Sequence, residues 1–167
     1  MRHESSTARI RDAVAPDVAG ICAFGEAHVR AHYAPLIGDE AADAQVRRWW
    51  NREYVTSAVE AGTVVVAEAS ASIVGVAQRG RAGDEHVVYK LYVAPEARGT
   101  GLGPRLLDAL VARLPAGTPR LLVEHVAANT RAATFYEREG FEVLRVDPHP
   151  TEDPALATVW RTRDLRR

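Results

Sequence analysis

Hydrophobic positions repeat with two different periods along this chain, and the alternation between the periods predicts its elements. Apolar residues at every second position predict strands, and apolar residues at helical spacing predict helices. The strands are predicted over residues 8–14, 63–68, 72–78, 86–93, 121–126, 141–146 and 157–162. The helices are predicted over 16–29 and 40–59, from about Pro104 to Leu114, and from Asn129 or Thr130 to Glu139. Residues 69–71 are predicted to close a hairpin, and residues 80–84 to form a turn.

The resulting order is β-α-α-β-β-β-α-β-α-β-β, with about seven strands and four helices. This order predicts an α/β fold with a mixed sheet and one parallel step at its centre. A chain of 167 residues fits a single domain spanning 1–167. An apolar content of 47% and a charged content of 26% are ordinary for a soluble globular protein.

Charge and cysteine content exclude several classes of protein. The net charge is −1, so no basic field favours nucleic acid as a partner. No apolar run approaches the ~20 residues of a membrane span, and Met1–Ser6 lacks the apolar core of a signal peptide. Cys22 is the only cysteine, which rules out an internal disulfide and suits a core filler. We therefore expect a cytoplasmic protein without a membrane partner, and a homodimer stays open.

A glycine-rich segment between a strand and a helix is the strongest candidate for chemistry. Three glycines lie within residues 98–103, between the strand that Pro95 ends and the third predicted helix. Glycine lets a backbone approach a ligand closely, and the free N–H groups and dipole of a helix N-terminus favour a phosphate. Arg98 adds a full charge. The segment lacks the Gly-Lys-Ser/Thr of a Walker loop, and Pro104 breaks the dinucleotide pattern G-x-G-x-x-G.

The segment, read as Arg-x-x-Gly-x-Gly after a Leu-Tyr-Val-x-Pro strand end, resembles the pyrophosphate loop of the GNAT superfamily, N-acetyltransferases that use acetyl-coenzyme A (acetyl-CoA). Residues 121–141 resemble the other signature of that family, a strand followed by Asn-x-x-Ala and Phe-Tyr-Glu-x-x-Gly-Phe. The element order is also that of the GNAT fold, so the resemblance covers nearly the whole chain.

The resemblance implies acetyl-CoA as co-substrate, an amine as acceptor, and no metal. It assigns cofactor binding to Leu91, Tyr92, Val93, Arg98, Gly99, Thr100, Gly101, Leu102, Gly103, Arg105, Asn129, Ala132 and Tyr136. Two of these residues also have a purely structural interpretation. Asn129 suits a helix cap, and Tyr136 suits core packing with a bonded hydroxyl.

The implied reaction is direct transfer of an acetyl group to a primary amine. Tyr136, implied to lie near the thioester sulfur, has a reference pKa of ~10 and is protonated at neutral pH, so it can donate to the departing thiolate. A backbone N–H near Val93 can stabilise the charge that develops on the carbonyl oxygen. An alkyl ammonium, with a pKa of ~10, must first lose a proton to a base.

The sequence offers several candidates for that base. Many family members carry a glutamate six residues before the position of Val93, where this chain has Val87. Glu124 is the preferred substitute, because its offset from Asn129 resembles that of protein N-terminal acetyltransferases of the bacterial ribosomal type. A solvated or ion-paired Glu124 is the structural alternative. The remaining candidates are an ordered water and three side chains, Glu85, His86 and His125.

Other polar residues support weaker hypotheses. His28 and His32 have the spacing of a helical metal pair, but no second ligand pair accompanies them, which favours surface or substrate-pocket histidines. One of Trp49 and Trp50 is expected in the core, and the other stays open. The loop 147–154 carries three carboxylates, which suit either a solvated loop or attraction of a cationic amine.

The preferred function is acetylation of a small-molecule primary amine. One alternative is acetylation of protein N-terminal α-amines, which the offset of Glu124 favours. A second alternative is a non-catalytic module that senses acyl-CoA, which the absence of a glutamate at position 87 permits.

Overall fold

A seven-stranded sheet forms the centre of the molecule. The computed structural model describes residues 7–166, so the segment Met1–Ser6 considered above for a leader lies outside the described residues. The strands are β1 (Arg9–Asp12), β2 (Val64–Ala69), β3 (Ser72–Ala82), β4 (Glu85–Val93), β5 (Arg120–Val126), β6 (Glu142–Asp147) and β7 (Thr158–Asp164). Their spatial order is β1-β2-β3-β4-β5-β7-β6, and only β4 and β5 are parallel neighbours. The predicted mixed sheet with one central parallel step is confirmed.

Five helical bodies cover the sheet, one more than predicted. The helices are α1 (Val18–Phe24), α2 (Arg30–Ile37), α3 (Asp39–Trp49), α4 (Arg52–Glu60), α5 (Leu102–Val111) and α6 (Thr130–Arg138), and a π-helical turn (Gly25–Val29) joins α1 to α2 without a break. None of the helices within residues 7–166 has the length and apolarity needed to cross a membrane.

The predicted helix over 40–59 is divided into α3 and α4, and Asn51 explains the division. Its side-chain Nδ2 donates to the carbonyl of Arg47, at 2.8 Å, and its Oδ1 accepts from the backbone N–H of Tyr54, at 2.9 Å. One asparagine therefore satisfies groups at the end of α3 and at the start of α4. The first predicted helix is longer than expected, because it continues through the π turn to Ile37.

The predicted turn over 80–84 is also shorter than expected, because β3 continues to Ala82. Gly80 lies within the strand, where the ring of Tyr89 packs against it. A Cβ at this position would lie 2.6 Å from Tyr89 Cδ2. Gly80 therefore provides close approach for an aromatic ring. The hairpin across 69–71 is confirmed, and Ser70 and Ala71 both adopt positive φ, as a tight two-residue turn requires.

Two hydrophobic layers hold the helices on opposite faces of the sheet. Helices α1 to α4 pack on one face around Phe24, Val46 and Trp50, and this layer includes Cys22 at its margin. Helices α5 and α6 pack on the other face around a second cluster. We call these the α1–α4 face and the α5–α6 face. Trp50 is buried and Trp49 is exposed, so the expectation of one core tryptophan is confirmed.

Candidate active site

The two central strands, β4 and β5, separate in the middle of the sheet. Residues His86–Val88 of β4 pair with Leu121–Val123 of β5, and beyond these three pairs the strands no longer pair with each other. A bulge contributes to the separation, since Gln78 pairs with Lys90 and Arg79 pairs with Val88, which leaves Tyr89 as the extra residue of β4. A cavity of about 730 Å³ occupies the resulting gap.

The separation leaves backbone groups of β4 directed into the gap. The N–H of Ala94 donates to the carbonyl of Val74 on the β3 side, at 2.9 Å. Because successive residues of a strand direct their backbone groups to opposite sides, the N–H groups of Leu91 and Val93 point toward β5. The carbonyl of Val93 points the same way and accepts from Nε of Arg98, at 3.3 Å. The Val93 N–H is thus a backbone donor at the cavity.

The glycine-rich loop forms one end of the cavity. Gly99 and Gly101 adopt φ of +74° and +78°, a conformation that other residues rarely adopt. Gly101 immediately precedes α5, so the first N–H groups of that helix face the cavity end without helical partners. Pro104, in the first turn, supplies no N–H. A Cβ at Gly103 would lie 3.1 Å from Phe135, so this glycine allows α5 and α6 to approach closely.

Most of the residues assigned to cofactor binding line this cavity, and two do not. Thr100 donates its hydroxyl to the carbonyl of Ala97 and so stabilises the loop. Arg105 extends away and donates to the carbonyl of Ala8, at 2.8 Å. The side chain of Tyr92 lies toward the α1–α4 face, where its hydroxyl is 2.8 Å from that of Tyr33. By the same alternation its backbone groups point toward β3, where Tyr92 pairs with Val76, so it borders the gap without directing a backbone donor into it.

Positive charge collects at the loop end of the cavity. Arg98 from the loop and Arg131 and Arg138 from α6 all line it. Within residues 7–166 none of the three lies within ion-pair distance of a carboxylate. Burial, and then the charge of Arg131, lower the pKa of Arg98 from its usual value. Arg131 was absent from the sequence prediction, although it follows Asn129 by only two positions.

Tyr136 lies on the α6 side of the gap in a rigid aromatic setting. Its ring packs edge-on against Phe135 and Phe141, at 5.1 and 5.3 Å between centroids, and stacks on His125 at 6.5 Å. Among the described residues its hydroxyl has no hydrogen-bond partner, and the residue lines the cavity. Burial raises the pKa of Tyr136 well above its usual value, so the phenol keeps its proton throughout the physiological range.

Asn129 joins α6 to α2 across the cavity. Its Oδ1 accepts from the N–H of Ala132 at 3.1 Å, so it does cap the helix, and its Nδ2 lies 3.3 Å from Nε2 of His32. Burial, together with Arg98 and Arg131, lowers the pKa of His32. The asparagine therefore combines the capping interaction with a side-chain donor at the cavity.

Glu124 projects from β5 toward the opposite face of the sheet from Tyr136. Its neighbours Val123 and His125 point to the α5–α6 face, where Val123 joins the core and His125 stacks on Tyr136. Alternation directs Glu124 to the α1–α4 face, where Trp160 is its cross-strand neighbour. Burial, and then the charge of Asp147, raise the pKa of Glu124.

The three alternative bases are engaged elsewhere. Glu85 forms a salt bridge with Arg120, and this pair does not line the cavity. His86 also lies outside the cavity lining. His125 lines the cavity, but Nε2 is 3.0 Å from Nε of Arg161 and Nδ1 is 2.9 Å from the Val126 carbonyl. Arginine can only donate, so Nε2 accepts and Nδ1 carries the proton, which leaves His125 no free acceptor.

Four aromatic residues complete the cavity on the α1–α4 side. His28 and His32 line it, as the substrate-pocket interpretation of these histidines expects, together with Tyr33 and Tyr89. Sequence reasoning missed the two tyrosines. Tyr33 lies next to His32 and offered a weak signal, whereas the position of Tyr89 depends on the bulge in β4. Within residues 7–166 no group of three or more histidine, cysteine or carboxylate side chains is arranged to hold a metal ion.

Several solved structures share this architecture. The PaiA N-acetyltransferase from Thermoplasma acidophilum, solved with coenzyme A, superposes with a TM-score of 0.79 at 16% identity, covering 95% of this chain and 99% of that one. A GCN5-related N-acetyltransferase from Rhodopseudomonas palustris gives 0.75 at 22% identity, covering 99% and 100%. The yncA protein from Salmonella typhimurium, solved with acetyl-CoA, gives 0.68 at 22% identity, covering 97% and 96%.

The structural similarities show the fold, and a comparison of the sequence with a family model shows the family. The family model for the acetyltransferase (GNAT) domain matches residues 60–143. This region runs from the end of α4 to the start of β6 and contains the separated strands, the glycine loop and α6. Because the match spans half of the chain and includes both sides of the gap, the chain belongs to the GNAT family of acetyltransferases.

Proposed function

We propose that this protein transfers an acetyl group from acetyl-CoA directly to a primary amine. The observation that carries the proposal is the gap between β4 and β5. One cavity there combines a glycine loop at a helix N-terminus, the N–H of Val93 and the buried phenol of Tyr136. The structures of PaiA with coenzyme A and of yncA with acetyl-CoA support the choice of co-substrate.

The residues present fit acetyl-CoA at both ends of the cavity. The pyrophosphate matches the free N–H groups at the start of α5 and the unpaired charges of Arg98 and Arg131. Asn129 and the N–H of Leu91 offer donors along the gap, where the amides of the pantetheine arm need partners, and the N–H of Val93 remains for the acetyl carbonyl. Bound there, acetyl-CoA supplies an activated carbonyl and a thiolate leaving group.

Three groups of the protein then act on protons and charge. The N–H of Val93 donates a hydrogen bond to the carbonyl oxygen as negative charge develops on it. The phenol of Tyr136 keeps its proton and donates a hydrogen bond to the departing sulfur, which stabilises the thiolate as the C–S bond breaks. Glu124 accepts the proton of the incoming ammonium from the opposite face, directly or through one water. A raised pKa brings Glu124 closer to the range in which a general base is efficient.

The acceptor is proposed to be a small-molecule primary amine, and a protein N-terminal α-amine is the second candidate. His28 of the π turn and His32 and Tyr33 of α2 line the cavity opposite the sheet, which favours a compact acceptor enclosed between helix and sheet. The position of Glu124 on β5, beside Tyr33 and Tyr89, favours the second candidate through its resemblance to protein N-terminal acetyltransferases.

Two measurements test the proposal. Calorimetry with acetyl-CoA should show binding to a single site, and replacement of Gly101 by valine, which opposes positive φ, should weaken it by at least about tenfold. Mass spectrometry should then detect acetylated products in a mixed pool of amines and peptides. Binding without any product would favour an acyl-CoA sensor, and absence of binding would refute the proposal.

A further inference from the structure

The cavity has two chemically different halves, one on each face of the sheet. The α5–α6 face carries the arginines and the helix N-termini described above. The α1–α4 face carries Glu124, Tyr33 and Tyr89, and the hydroxyl of Tyr89 donates to the carbonyl of Arg81 at 2.8 Å. Resting on the proposed function, we infer that the acceptor is a cationic amine with no carboxylate on the carbon that bears the nitrogen. Amines and amino-terminal amides fit this class, whereas free amino acids do not.

Glu124 gives the α1–α4 half of the cavity a negative charge that faces the acceptor. Burial raises the pKa of the Tyr33 and Tyr89 phenols, and the nearby charge of Glu124 raises both further. The charge of Asp147 raises the pKa of Glu124 beyond the effect of burial, and Arg145, which pairs with Asp147, partly offsets it. Asp147 is held in place by Nε1 of Trp160, which donates to it at 3.0 Å. An ammonium is attracted to this half of the cavity, and a second carboxylate is repelled.

The cations on this face are occupied or enclosed. Arg145 lies over the ring of Trp160 and pairs with Asp147, at 3.3 Å, and it does not line the cavity. Lys90 lies beneath the lining, enclosed by Gln78 and two aromatic rings. Among the residues that line the cavity, every arginine comes from the glycine loop or from α6.

The arginines of the cofactor half come from the loop and from α6. Arg98 and Arg131 lie beside the loop, where the pyrophosphate neutralises them in the proposed complex. His32 lies on the α1–α4 side, and burial, with the charges of Arg98 and Arg131, lowers its pKa from its usual value, so it brings no charge at neutral pH. The carboxylate of an amino acid would therefore meet Glu124 in the acceptor half without an arginine or lysine partner, a juxtaposition that costs binding energy.

The test uses a matched series built on the acceptor that the mixed pool yields. The series compares that amine with derivatives that carry a carboxamide or a carboxylate on the carbon next to the nitrogen. Because these groups change the pKa of the amine, kcat/KM is expressed per free amine. We expect the amine and the carboxamide to lie within about tenfold of each other, and the carboxylate to be at least about tenfold poorer.

A charge-changing variant sharpens the test. Tyr89→Arg places a cation at the acceptor half and should improve kcat/KM for the carboxylate relative to the carboxamide by about tenfold, whereas Tyr89→Met, of similar length and neutral, should leave the ratio unchanged. Thermal melting and acetyl-CoA calorimetry verify that each variant is folded. Equal turnover of carboxylate and carboxamide by the wild type overturns the inference while the proposed function stands. Failure to acetylate any amine refutes the proposed function itself.

Discussion

Lys90 is the only lysine of the sequence, and its charge is buried in the centre of β4. The side chain is only 6% exposed. Its Nζ donates to Oε1 of Gln78 at 2.6 Å and lies over the rings of Tyr54 and Trp50, at 4.4 and 4.9 Å. Within residues 7–166 no carboxylate lies within ion-pair distance of it. Burial lowers the pKa of Lys90 from 10.5 to about 7. We predict that Lys90→Met changes both the stability of the fold and its dependence on pH.

The direction and size of the effect follow from the two pKa values. The unfolded chain binds the lysine proton up to pH 10.5, whereas the folded protein releases it near pH 7. Between these values the unfolded state binds more protons, so the free energy of unfolding rises with pH, by at most about 1.4 kcal/mol per pH unit. Over the whole window of about 3.5 units the rise is at most ~5 kcal/mol. Below pH 7 the contribution of Lys90 to the free energy of unfolding no longer changes with pH and is at its most unfavourable.

Methionine fills similar space without a charge, so Lys90→Met should remove this slope. At pH 6 the variant should be more stable than the wild type by a few kcal/mol. Part of the gain is offset, since Gln78 keeps its bond from Nε2 to the Tyr54 hydroxyl but loses the partner of Oε1, at a cost of about 1–3 kcal/mol. At pH 9 the advantage should shrink or reverse.

Urea denaturation of the wild type and of Lys90→Met between pH 6 and pH 9 measures the difference between their free energies of unfolding. The contributions of the other titrating groups cancel in this difference. Lys90→Arg is the matched control, since its guanidinium keeps the proton and should destabilise the fold at every pH without a slope. NMR of selectively labelled lysine would show one side-chain signal from the folded protein and report its pKa directly. A stability difference that is constant from pH 6 to pH 9, or a signal titrating near pH 10, would refute this account.

Three further predictions concern the site and the sheet. Tyr136→Phe should lower kcat by roughly 10²–10⁴-fold while calorimetry shows little change in acetyl-CoA affinity, because it removes only the proton donor, and an unchanged kcat would exclude the role. Glu124→Gln should reduce turnover mainly at low pH, where free amine is scarce, so a pH–rate profile identical to the wild type would assign the base elsewhere. Gly80→Ala should destabilise the fold by about 1–3 kcal/mol in chemical denaturation because its Cβ collides with Tyr89, and the cost should be absent in a Tyr89→Ala background.

The pattern of the sequence predicts the sheet well, because most strands have a face that they must bury; the edge strand β6 is exposed along its length and was identified from its apolar alternation alone. The parallel step between β4 and β5 follows from the helix that connects them. The boundary inside 40–59 was missed for a local reason. The apolar spacing continues through Trp49 and Trp50, and only the hydrogen bonds of Asn51 at both helix ends reveal the break. Such a cap inside a continuous apolar pattern is hard to distinguish from a mid-helix asparagine.

The two sides of the candidate site differ in how visible they are in the sequence. The glycine loop and α6 are contiguous segments with characteristic spacing, so they were identified from short motifs. The α1–α4 side is assembled from contacts between distant residues. Tyr33 meets Tyr92 across 59 positions, and His32 meets Asn129 across 97. The direction of Tyr89 depends on a one-residue bulge, and a bulge changes the face of a side chain without changing the apolar pattern.

The π-helical turn Gly25–Val29 links the core to this second side of the site. A π turn carries one more residue than an α turn, so the residues that follow are rotated by roughly 100° about the helix axis relative to a continuous α-helix. Gly25 starts the turn, and a Cβ there would lie 2.6 Å from the ring of Trp50, so the helix can approach this ring only with glycine at that position. Trp50 in turn packs edge-on against Tyr92, at 5.4 Å. Trp50 therefore contacts both the π turn that orients His32 and Tyr33 toward the gap and the strand β4. Helix α2 and strand β4, which enclose the acceptor half, are thus held by packing against the same tryptophan.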